Sequence, residues 1–319
     1  MTIANLLGFG TAAIGRPQYI NLKQDPTQKA FNLVSFRDQG MAMLDAAYAG
    51  GIRYFDTAPG YGLAQDLLID WLAMTKHTDI VLATKWGYTY VANFEPNAIL
   101  HEVKEHSLQK LNEQWEVSKK LLPHLKYYQV HSATLDSGVL ENQSVLERLF
   151  ALKQQYNLIV GVSTTGPNQA IVLEKAMGIQ CEGVPLFGVF QCTYNLLDQS
   201  IASLGKAIVK SGKKLVIKEA LANGRLMPHK DYQTYAHLYD LLEKLANKYE
   251  VGVDAIALQF CLGNMAGATI LSGASTQTQL SQNLQSQQFK LTSQELNKLA
   301  AFGIDPEAYW SERSSLAWN

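Results

Sequence analysis

The segment RYFDTAPGYGLAQDLLIDWLAM, residues 53–74, holds one complete pattern of strand, turn and helix. Its first part, Arg53 to Thr57, is a short run of the kind that forms a buried parallel strand. A turn rich in Pro and Gly follows, and from Ala64 to Met74 apolar residues recur at the spacing of one helix face. Strand, turn and helix in this order form the repeating unit of an α/β fold.

The same unit occurs eight times along the chain. The predicted strands are Leu6 to Thr11, Arg53 to Thr57, Ile80 to Lys85, Lys126 to His131, Ile159 to Ser163, Leu186 to Gln191, Lys214 to Lys218 and Ala268 to Ser272. The predicted helices are Gln39 to Ala49, Ala64 to Met74, His101 to Leu122, Leu140 to Gln155, Gln169 to Ala176, Gln199 to Val209, Tyr235 to Tyr249, Val253 to Leu262, Gln277 to Gln285 and Gln294 to Phe302. No Pro- or Ser-rich linker divides them. We therefore predict an α/β fold, a single (β/α)8 TIM barrel over residues 1–319 with a C-terminal tail of about residues 303–319.

A doubly wound sheet is the competing fold. In its favour, Gly8, Gly10 and Ala13 form a G-x-G-x-x-A pattern near the N-terminus, which resembles a dinucleotide-binding fingerprint. However, Ile14 to Pro17 follows, which breaks a helix rather than opening one, and no acidic residue stands where a ribose partner is expected. The barrel is therefore preferred.

The composition limits the classes of function. Of 319 residues, 47% are hydrophobic and 17% are charged, which excludes extended disorder. A net charge of −1 gives no attraction for nucleic acid or for an anionic membrane. The three cysteines form no CxxC pair and have no His at ligand spacing, so we expect no disulfide framework and no metal site. With no basic N-terminal region and no apolar run of about 18 residues, we expect a cytoplasmic protein.

Ionisable residues stand at the ends of three predicted strands. Asp56, Lys85 and His131 each end a strand, and Tyr61 lies in the turn after the second strand. Because strand ends meet at one rim of a barrel, the four side chains would form a proton-transfer unit. Lys85 would lower the pKa of Tyr61, Asp56 would hold Lys85, and His131 would orient a carbonyl oxygen.

Each of these residues also has a purely structural interpretation. Asp56 could cap a turn, Lys85 could pair with any carboxylate, and His131 could be a satisfied histidine at the rim. Tyr61 could be a packed aromatic residue. The occurrence of all four at one predicted rim is what favours chemistry.

With these residues in place, the sequence resembles the aldo-keto reductase superfamily. The residues that carry the resemblance are Leu7 to Thr11, Gly51 to Gly62, Ala83 to Lys85, Gln129 to His131, Gly161 to Ser163, Phe190 and Gln191, Ser272 to Ser275, and Gln282 and Asn283. The resemblance implies an NAD(P)H-dependent oxidoreductase that acts on an aldehyde, ketone or sugar. It implies that Asp56, Tyr61, Lys85 and His131 are a catalytic tetrad with Tyr61 as proton donor.

A cofactor site is also indicated. Small residues from Ser272 to Thr276 precede a predicted helix, where backbone amides can approach a phosphate, although Ser275 or Thr276 could simply cap the helix. The resemblance assigns the adenosine end of the cofactor to Ser275, Gln279 and Asn283, the nicotinamide carboxamide to Ser163 and Gln191, and the flank of the ring to Gly10 and Thr11. Arg225 would bind a cofactor phosphate or else be solvated. We expect NADP(H), with NAD(H) as the alternative because Gln279 stands where the family has Arg.

The chain departs from the family at two positions. Thr164 replaces an Asn that many relatives carry, and Lys218 and Glu219 stand where many place an aromatic residue against the nicotinamide. Trp86 and Lys218 are candidate substrate-pocket residues, with barrel packing and a rim salt bridge as the respective alternatives. The aromatic residues of the tail, Tyr309, Trp310 and Trp318, are expected to dock it rather than to close the mouth.

Two other functions are alternatives for a chain of this kind. A cofactor-binding regulatory or redox-sensing subunit would keep the barrel and turn over slowly. A barrel isomerase or lyase without nicotinamide would need a different rim. A small carbonyl or alcohol is therefore the expected partner, with neither nucleic acid nor membrane.

Overall fold

The computed structural model describes residues 6–19, 31–95 and 98–318. Eight parallel strands close into a barrel, each hydrogen-bonded to its neighbours in chain order, with the last strand paired to the first. They are β1 (Leu7–Gly10), β2 (Tyr54–Asp56), β3 (Val81–Trp86), β4 (Leu125–Ala133), β5 (Ile159–Thr164), β6 (Val189–Thr193), β7 (Lys214–Lys218) and β8 (Thr269–Ser272). The predicted barrel and all eight of its predicted strands are confirmed.

Helices connect and cover the strands. They are α1 (Ala12–Gly15), α2 (Leu33–Ala49), α3 (Ala64–Thr75), α4 (Leu108–Ser118), α5 (Gln143–Tyr156), α6 (Gln169–Gly178), α7 (Ala202–Lys210), α8 (Ala236–Tyr249), α9 (Val253–Asn264), α10 (Gln277–Gln285), α11 (Ser293–Ala300) and α12 (Pro306–Ser314). Single 3-10 turns lie at Lys119–Leu121, Ala222–Gly224 and Gln233–Tyr235. Within the described ranges, none of these helices is long and apolar enough to cross a membrane.

The predicted helix from His101 to Leu122 is wrong in its first part. Glu102–Lys104 instead forms an antiparallel hairpin with Tyr88–Tyr90. The helix begins after Ser107, whose side chain accepts a hydrogen bond from the Lys110 N–H at 3.0 Å. A serine cap sets the helix start here because it satisfies a backbone donor that the first turn leaves unpaired. The hairpin lies beside the barrel mouth, so the difference affects the site.

The apolar core forms two main layers. The larger cluster lies between the strands and the covering helices, and it includes the fully buried residues Phe55, Trp86 and Phe190. A smaller cluster contains one buried residue from each of β2, β3, β4, β6 and β7, and Tyr54 and Tyr127 are its aromatic members. Side chains that alternate along barrel strands fill the interior in this way, so the barrel is packed rather than open. Because the interior is filled by this cluster, the polar cavity lies at the mouth of the barrel and not inside it.

One close approach in the barrel wall requires glycine. A Cβ atom on Gly161 of β5 would lie 2.0 Å from the Val189 carbonyl oxygen and 2.4 Å from the Val189 Cγ1. The obstructing atoms include backbone, which cannot move without disturbing the ladder between β5 and β6. Since Ser163 and Gln191 lie at the end of that same ladder, the spacing at Gly161 also sets their spacing.

We predict that Gly161→Ala lowers the free energy of unfolding by about 1–3 kcal/mol, the usual cost of overpacking a core. Urea unfolding of both proteins measures it. The matched control is Gly178→Ala at the end of α6, where a Cβ would meet nothing within 4 Å. That change should be neutral or stabilising by up to about 1 kcal/mol. Equal effects of the two substitutions would contradict the steric argument.

Candidate active site

Asp56 and Lys85 form a buried ion pair at the ends of β2 and β3. The Lys85 ammonium donates to Asp56 Oδ1 and, at 2.9 Å, to the Thr57 carbonyl oxygen. The Gln191 amide nitrogen donates to Asp56 Oδ2 at 2.7 Å. Both oxygens of the carboxylate are therefore bonded, and three strands contribute to holding it.

Tyr61 and His131 lie above this pair. The Tyr61 hydroxyl is 3.3 Å from His131 Nε2, and the Lys85 ammonium is 4.9 Å from the centroid of the Tyr61 ring. All four side chains predicted from the strand ends and the turn are thus brought together. Both Tyr61 and His131 retain 9% of their surface exposed, so they are reachable from the mouth.

The expected net lowering of the Tyr61 pKa is wrong, because burial outweighs the neighbouring positive charge. Burial, followed by the Asp56 charge, raises the pKa of Tyr61 well above 10.0, although Arg16 acts in the opposite direction. Burial, followed by the Lys85 and Arg16 charges, lowers the pKa of His131 well below 6.5. Near pH 7 a neutral phenol therefore faces a neutral imidazole, and the tautomer of His131 decides which of the two donates in the hydrogen bond between them.

A bulge in β4 sets the position of His131. Pairing with β5 shifts register between Val130 and Ala133, and Ser132 has a φ of +53°. The Ser132 N–H bonds Ser163 Oγ at 2.8 Å, and His106 Nε2 bonds the His131 carbonyl oxygen at 2.8 Å. Bulges re-aim side chains next to functional sites, and these two bonds stabilise this one.

The turn that carries Tyr61 is fixed by contact with the segment after β1. The Leu63 N–H donates to the Gly15 carbonyl oxygen at 2.7 Å. A Cβ on Gly15 would lie 2.1 Å from the Tyr61 carbonyl oxygen, and Gly62, with a φ of +60°, would place a Cβ 2.3 Å from the Gly15 carbonyl oxygen. Two glycines thus allow the two backbone segments to pack directly against each other.

A cavity of about 100 Å³ opens beside the tetrad. Its lining is almost entirely polar or aromatic: Arg16, Tyr19, Tyr61, Tyr88, Glu102, His131, Ser132, Ser163, Thr165, Lys218, Glu219, Arg313 and Trp318. The charges are paired, with Arg16 Nη1 2.7 Å from Glu102 Oε2 and Arg313 Nη2 2.7 Å from Glu219 Oε1. The described residues include no group of three or more His, Cys, Asp or Glu that could hold a metal ion.

Residues 6–304 match the Aldo/keto reductase family. The chain belongs to the aldo/keto reductase family. It is therefore related to a family of oxidoreductases, and the resemblance inferred from the tetrad residues and strand-end motifs is confirmed.

Individual relatives are distant. The chain is 25% identical over 307 residues to the uncharacterized oxidoreductase YqkF of Bacillus subtilis (strain 168), covering 87% of this chain and 92% of that protein. It is 25% identical over 321 residues to D-threo-aldose 1-dehydrogenase of a Pseudomonas species, covering 87% of each. Among solved structures, AKR11C1 from Bacillus halodurans matches 93% of each chain at 24% identity and a TM-score of 0.66. Glycerol dehydrogenase AKR11B4 from Gluconobacter oxydans matches 93% of this chain and 90% of its own at 22% identity and a TM-score of 0.70.

Aldo/keto reductases use nicotinamide cofactors in general, and the residues at the mouth suit such a group. Ser163 faces the cavity beside Tyr61 and His131, and Gln191 is its register partner on β6. Thr11 donates from both its N–H and its hydroxyl to the Asp56 carbonyl oxygen, at 2.9 and 3.0 Å. Gly10 is the register partner of Asp56. These residues can present hydroxyl and amide groups to a carboxamide at the strand ends.

Of the residues assigned to the adenosine end, Ser275 and Gln279 lie at the start of α10 and Asn283 lies near its end. Gln279 Oε1 accepts from the Ser275 N–H at 2.9 Å, and Thr276 is the N-cap in a capping box with Gln279. Asn283 is buried, accepting from Ser272 Oγ at 2.7 Å and donating to Asp254 Oδ2 at 2.5 Å. A Cβ on Gly273 would meet nothing within 4 Å, so the approach to this helix N-terminus is open. An open helix N-terminus is a common phosphate site, whereas the Asn283 amide is already bonded within the protein.

Two assigned residues have other surroundings. Arg225 is fully buried, with Nη1 2.6 Å from Glu312 Oε2 and its guanidinium 4.2 Å from the Tyr309 ring centroid. It secures α12, and its complete burial argues against both the expected contact with a cofactor phosphate and the solvated alternative. Trp86 is fully buried, packs edge-on against His106 and does not line the cavity. Its barrel-packing alternative describes it better, whereas Lys218 does line the cavity.

Several cavity residues were missed by sequence reasoning. Arg16, Glu102 and Arg313 were not singled out, and Trp318 was expected only to dock the tail. Trp318 instead stacks on His101 at 4.5 Å between ring centroids, and it closes one side of the cavity. The signal for Arg16 was its position directly after the first strand and turn; the other three depend on contacts between distant segments.

Glu219 is a cavity group whose titration should affect the stability of the fold. Burial raises the pKa of its carboxyl, but Lys218, Arg313 and Arg225 outweigh burial and lower it from 4.5 to about 2. Because the pKa is lower in the folded protein, the stabilisation is present above pH 4.5 and is lost as the pH falls toward 2. Glu219→Gln should therefore cost about 3 kcal/mol of unfolding free energy at pH 7, and the cost should shrink below pH 4.5.

Urea unfolding of both proteins at a series of pH values measures this gap. The control is Glu174→Gln on α6, because Glu174 is exposed and makes no ion pair within the described residues. Its gap from the wild type should be small at every pH. A Glu219→Gln gap that stays constant with pH would contradict the assignment.

Proposed function

We propose that this protein transfers a hydride between a nicotinamide dinucleotide and a small polyhydroxylated carbonyl or alcohol, with Tyr61 as general acid and base. The observation that carries the proposal is a buried Asp56, Lys85, Tyr61 and His131 constellation that opens into a polar cavity. Membership of the aldo/keto reductase family supports the reaction class. A cofactor of this kind supplies or accepts the hydride.

The protonation states support a proton-transfer role for Tyr61. Its raised pKa keeps the hydroxyl protonated at neutral pH, so in the direction of reduction it can donate a proton to a carbonyl oxygen. The reverse reaction requires the alcohol to return its proton to the same oxygen. Positive charge from Lys85 near the ring stabilises the phenolate formed in between.

The other three residues orient and stabilise. Asp56 holds the Lys85 ammonium in place, and Gln191 and the Thr57 carbonyl oxygen fix the pair. His131 stays neutral and places Nε2 beside the Tyr61 hydroxyl, where it can orient the substrate oxygen.

The cavity supports a polyhydroxylated substrate. Paired charges and hydroxyl groups line it, and an apolar substrate would displace water from them without replacing its hydrogen bonds, at a cost in free energy. The names of two relatives point to the same class, since D-threo-aldose 1-dehydrogenase and glycerol dehydrogenase refer to a sugar and a triol.

We place the reaction in the cytoplasm, where free thiols such as those of Cys181, Cys192 and Cys261 persist.

For the cofactor we propose NADP(H), with NAD(H) accepted as well. Residues 272–285 carry no Lys or Arg, so recognition of a 2′-phosphate there would rest on neutral hydrogen bonds. A charge-assisted bond to an anion is worth about 1.5–3 kcal/mol, compared with about 1 kcal/mol for a neutral one.

Tyr61→Phe should lower kcat by about 100-fold or more, because general acid catalysis typically contributes that much. Reduction of glyceraldehyde, followed by the absorbance of the reduced cofactor, measures it. Cofactor binding, measured by fluorescence titration, should not change, because the substitution removes only one hydroxyl and keeps the aromatic ring.

Propanal serves as the matched aldehyde without hydroxyls, and a lower kcat/KM than that for glyceraldehyde is expected. Equal values would contradict the polyhydroxylated class. Near-normal turnover of Tyr61→Phe would contradict the acid role, and slow turnover that this change leaves unaffected would favour the regulatory alternative.

Gln279→Arg should tighten NADPH binding by about 10-fold or more while leaving NADH binding nearly unchanged, because it adds a charged partner for the 2′-phosphate. Parallel fluorescence titrations at one ionic strength measure both. In the wild type the two dissociation constants should lie within about 10-fold of each other.

The NADH titration of the same variant is its internal control, since any loss of the Thr276 and Gln279 capping box would affect both cofactors alike. An unchanged ratio of the two affinities in Gln279→Arg would show that this position does not face the 2′-phosphate.

A further inference from the structure

Arg16 is the most deeply buried of the charged side chains that line the cavity outside the tetrad. It follows α1 directly, it is 3% exposed, and it lines the cavity together with Tyr61 and His131. Burying a guanidinium costs several kcal/mol unless its charge and hydrogen bonds are matched. The contacts that it makes therefore indicate what it stabilises.

Three aromatic rings surround the guanidinium. Its Cζ atom lies 4.8 Å from the centroid of Trp318, 5.1 Å from that of Tyr19 and 5.5 Å from that of Tyr61. All three distances are within the range of cation–π attraction. With Lys85 at 4.9 Å, two cations attract the ring of Tyr61, and both favour one ring position.

Hydrogen bonds anchor Arg16 to two further segments. Its Nη1 donates to Glu102 Oε2 at 2.7 Å and reaches the Gly60 carbonyl oxygen at 3.5 Å. Glu102 belongs to the hairpin beside the mouth, and Gly60 directly precedes Tyr61. Arg16 thus links the Tyr61 turn to the hairpin as well as to the segment after β1.

From this geometry we infer that Arg16 is a positioning residue, which with Glu102 holds the Tyr61 phenol where proton transfer can occur. The inference rests on the proposed function, since it assigns Arg16 a task in that reaction. The task assigned to Arg16 is to hold the ring of Tyr61, whose centroid lies 5.5 Å from its guanidinium. A displacement of about 1 Å in such a group can cost about 100-fold in rate, so the effect of losing Arg16 should appear in kcat.

Arg16→Met, which keeps much of the volume and removes the charge, should lower kcat for glyceraldehyde by about 10-fold or more. The dissociation constant of the cofactor and the KM should change much less. Arg16→Lys should recover part of kcat, because it keeps a cation that Glu102 can bind.

The decisive comparison places Arg16→Met in the Tyr61→Phe background. If Arg16 acts through the phenol, the second change should cost little once the hydroxyl is gone, because residues that act as a unit are non-additive. A general structural loss would instead cost the same factor in both backgrounds.

Arg53→Met is the matched control. Arg53 lies over the ring of Tyr48 at 3.8 Å and pairs with Asp79 at 2.5 Å, so it makes the same two kinds of contact. It directly precedes β2 and therefore lies at the opposite end of the barrel from the mouth. Its loss should leave kcat within about two-fold, as expected for an exposed ion pair.

The outcomes separate the two hypotheses. Near-normal turnover of Tyr61→Phe would overturn the proposed function itself. If Tyr61→Phe has a large effect on kcat, two results would overturn the role of Arg16 while leaving the proposed function intact. One is that Arg16→Met lowers kcat by the same factor in the wild type and in Tyr61→Phe, and the other is that Arg16→Met leaves kcat unchanged. A loss of kcat with Arg16→Met that disappears in Tyr61→Phe would support it.

Discussion

The buried ion pair between Asp56 and Lys85 is the constraint on which the mouth of the barrel depends. Two charges removed from water are stable only when every remaining hydrogen-bonding group is matched, and here the Thr57 carbonyl oxygen and the Gln191 amide complete the set. The partners come from β2, β3 and β6, so the strands must close in one register for the pair to form. The site and the closed barrel are thus specified by the same contacts.

Tyr61 is held in a different way, because it stands on a turn and not on a strand. Its position comes from direct backbone packing between Gly15 and Gly62, and its ring is then attracted by Lys85 and Arg16. Turns are usually the mobile parts of a barrel, whereas this one is fixed by steric contact and by cations on a buried ring. A rigid phenol beside a neutral imidazole is a consequence of packing as much as of charge.

The sequence predicted the barrel and the convergence of the four tetrad residues because both follow from local patterns and one topological rule. Strands of a parallel barrel all end at the same rim, so residues at strand ends must meet. The direction of the Tyr61 pKa shift could not be predicted in this way. Strand-end positions identify the neighbouring charges, but the shift is set mainly by burial, which the sequence does not show. The predicted helix wrongly included Glu102, because apolar periodicity reveals only local structure. Glu102 lies in a strand that is stabilised by pairing with Tyr88–Tyr90, a contact that periodicity does not show.

The wall of the cavity opposite Arg16 depends on segments far apart in the chain. Glu219, at a φ of +54°, turns between Lys218 and Arg313, and both of these cations lie over the ring of Trp310. Trp310 itself donates to Asp198 Oδ2 at 3.1 Å, which docks α12 on the barrel. Lys218 ends β7 and Glu219 follows it, whereas Arg313 lies on α12, so this polar wall is complete only while α12 is docked. Because Arg313 of α12 pairs with Glu219 directly after β7, the C-terminal helix contributes to the charge balance of the cavity.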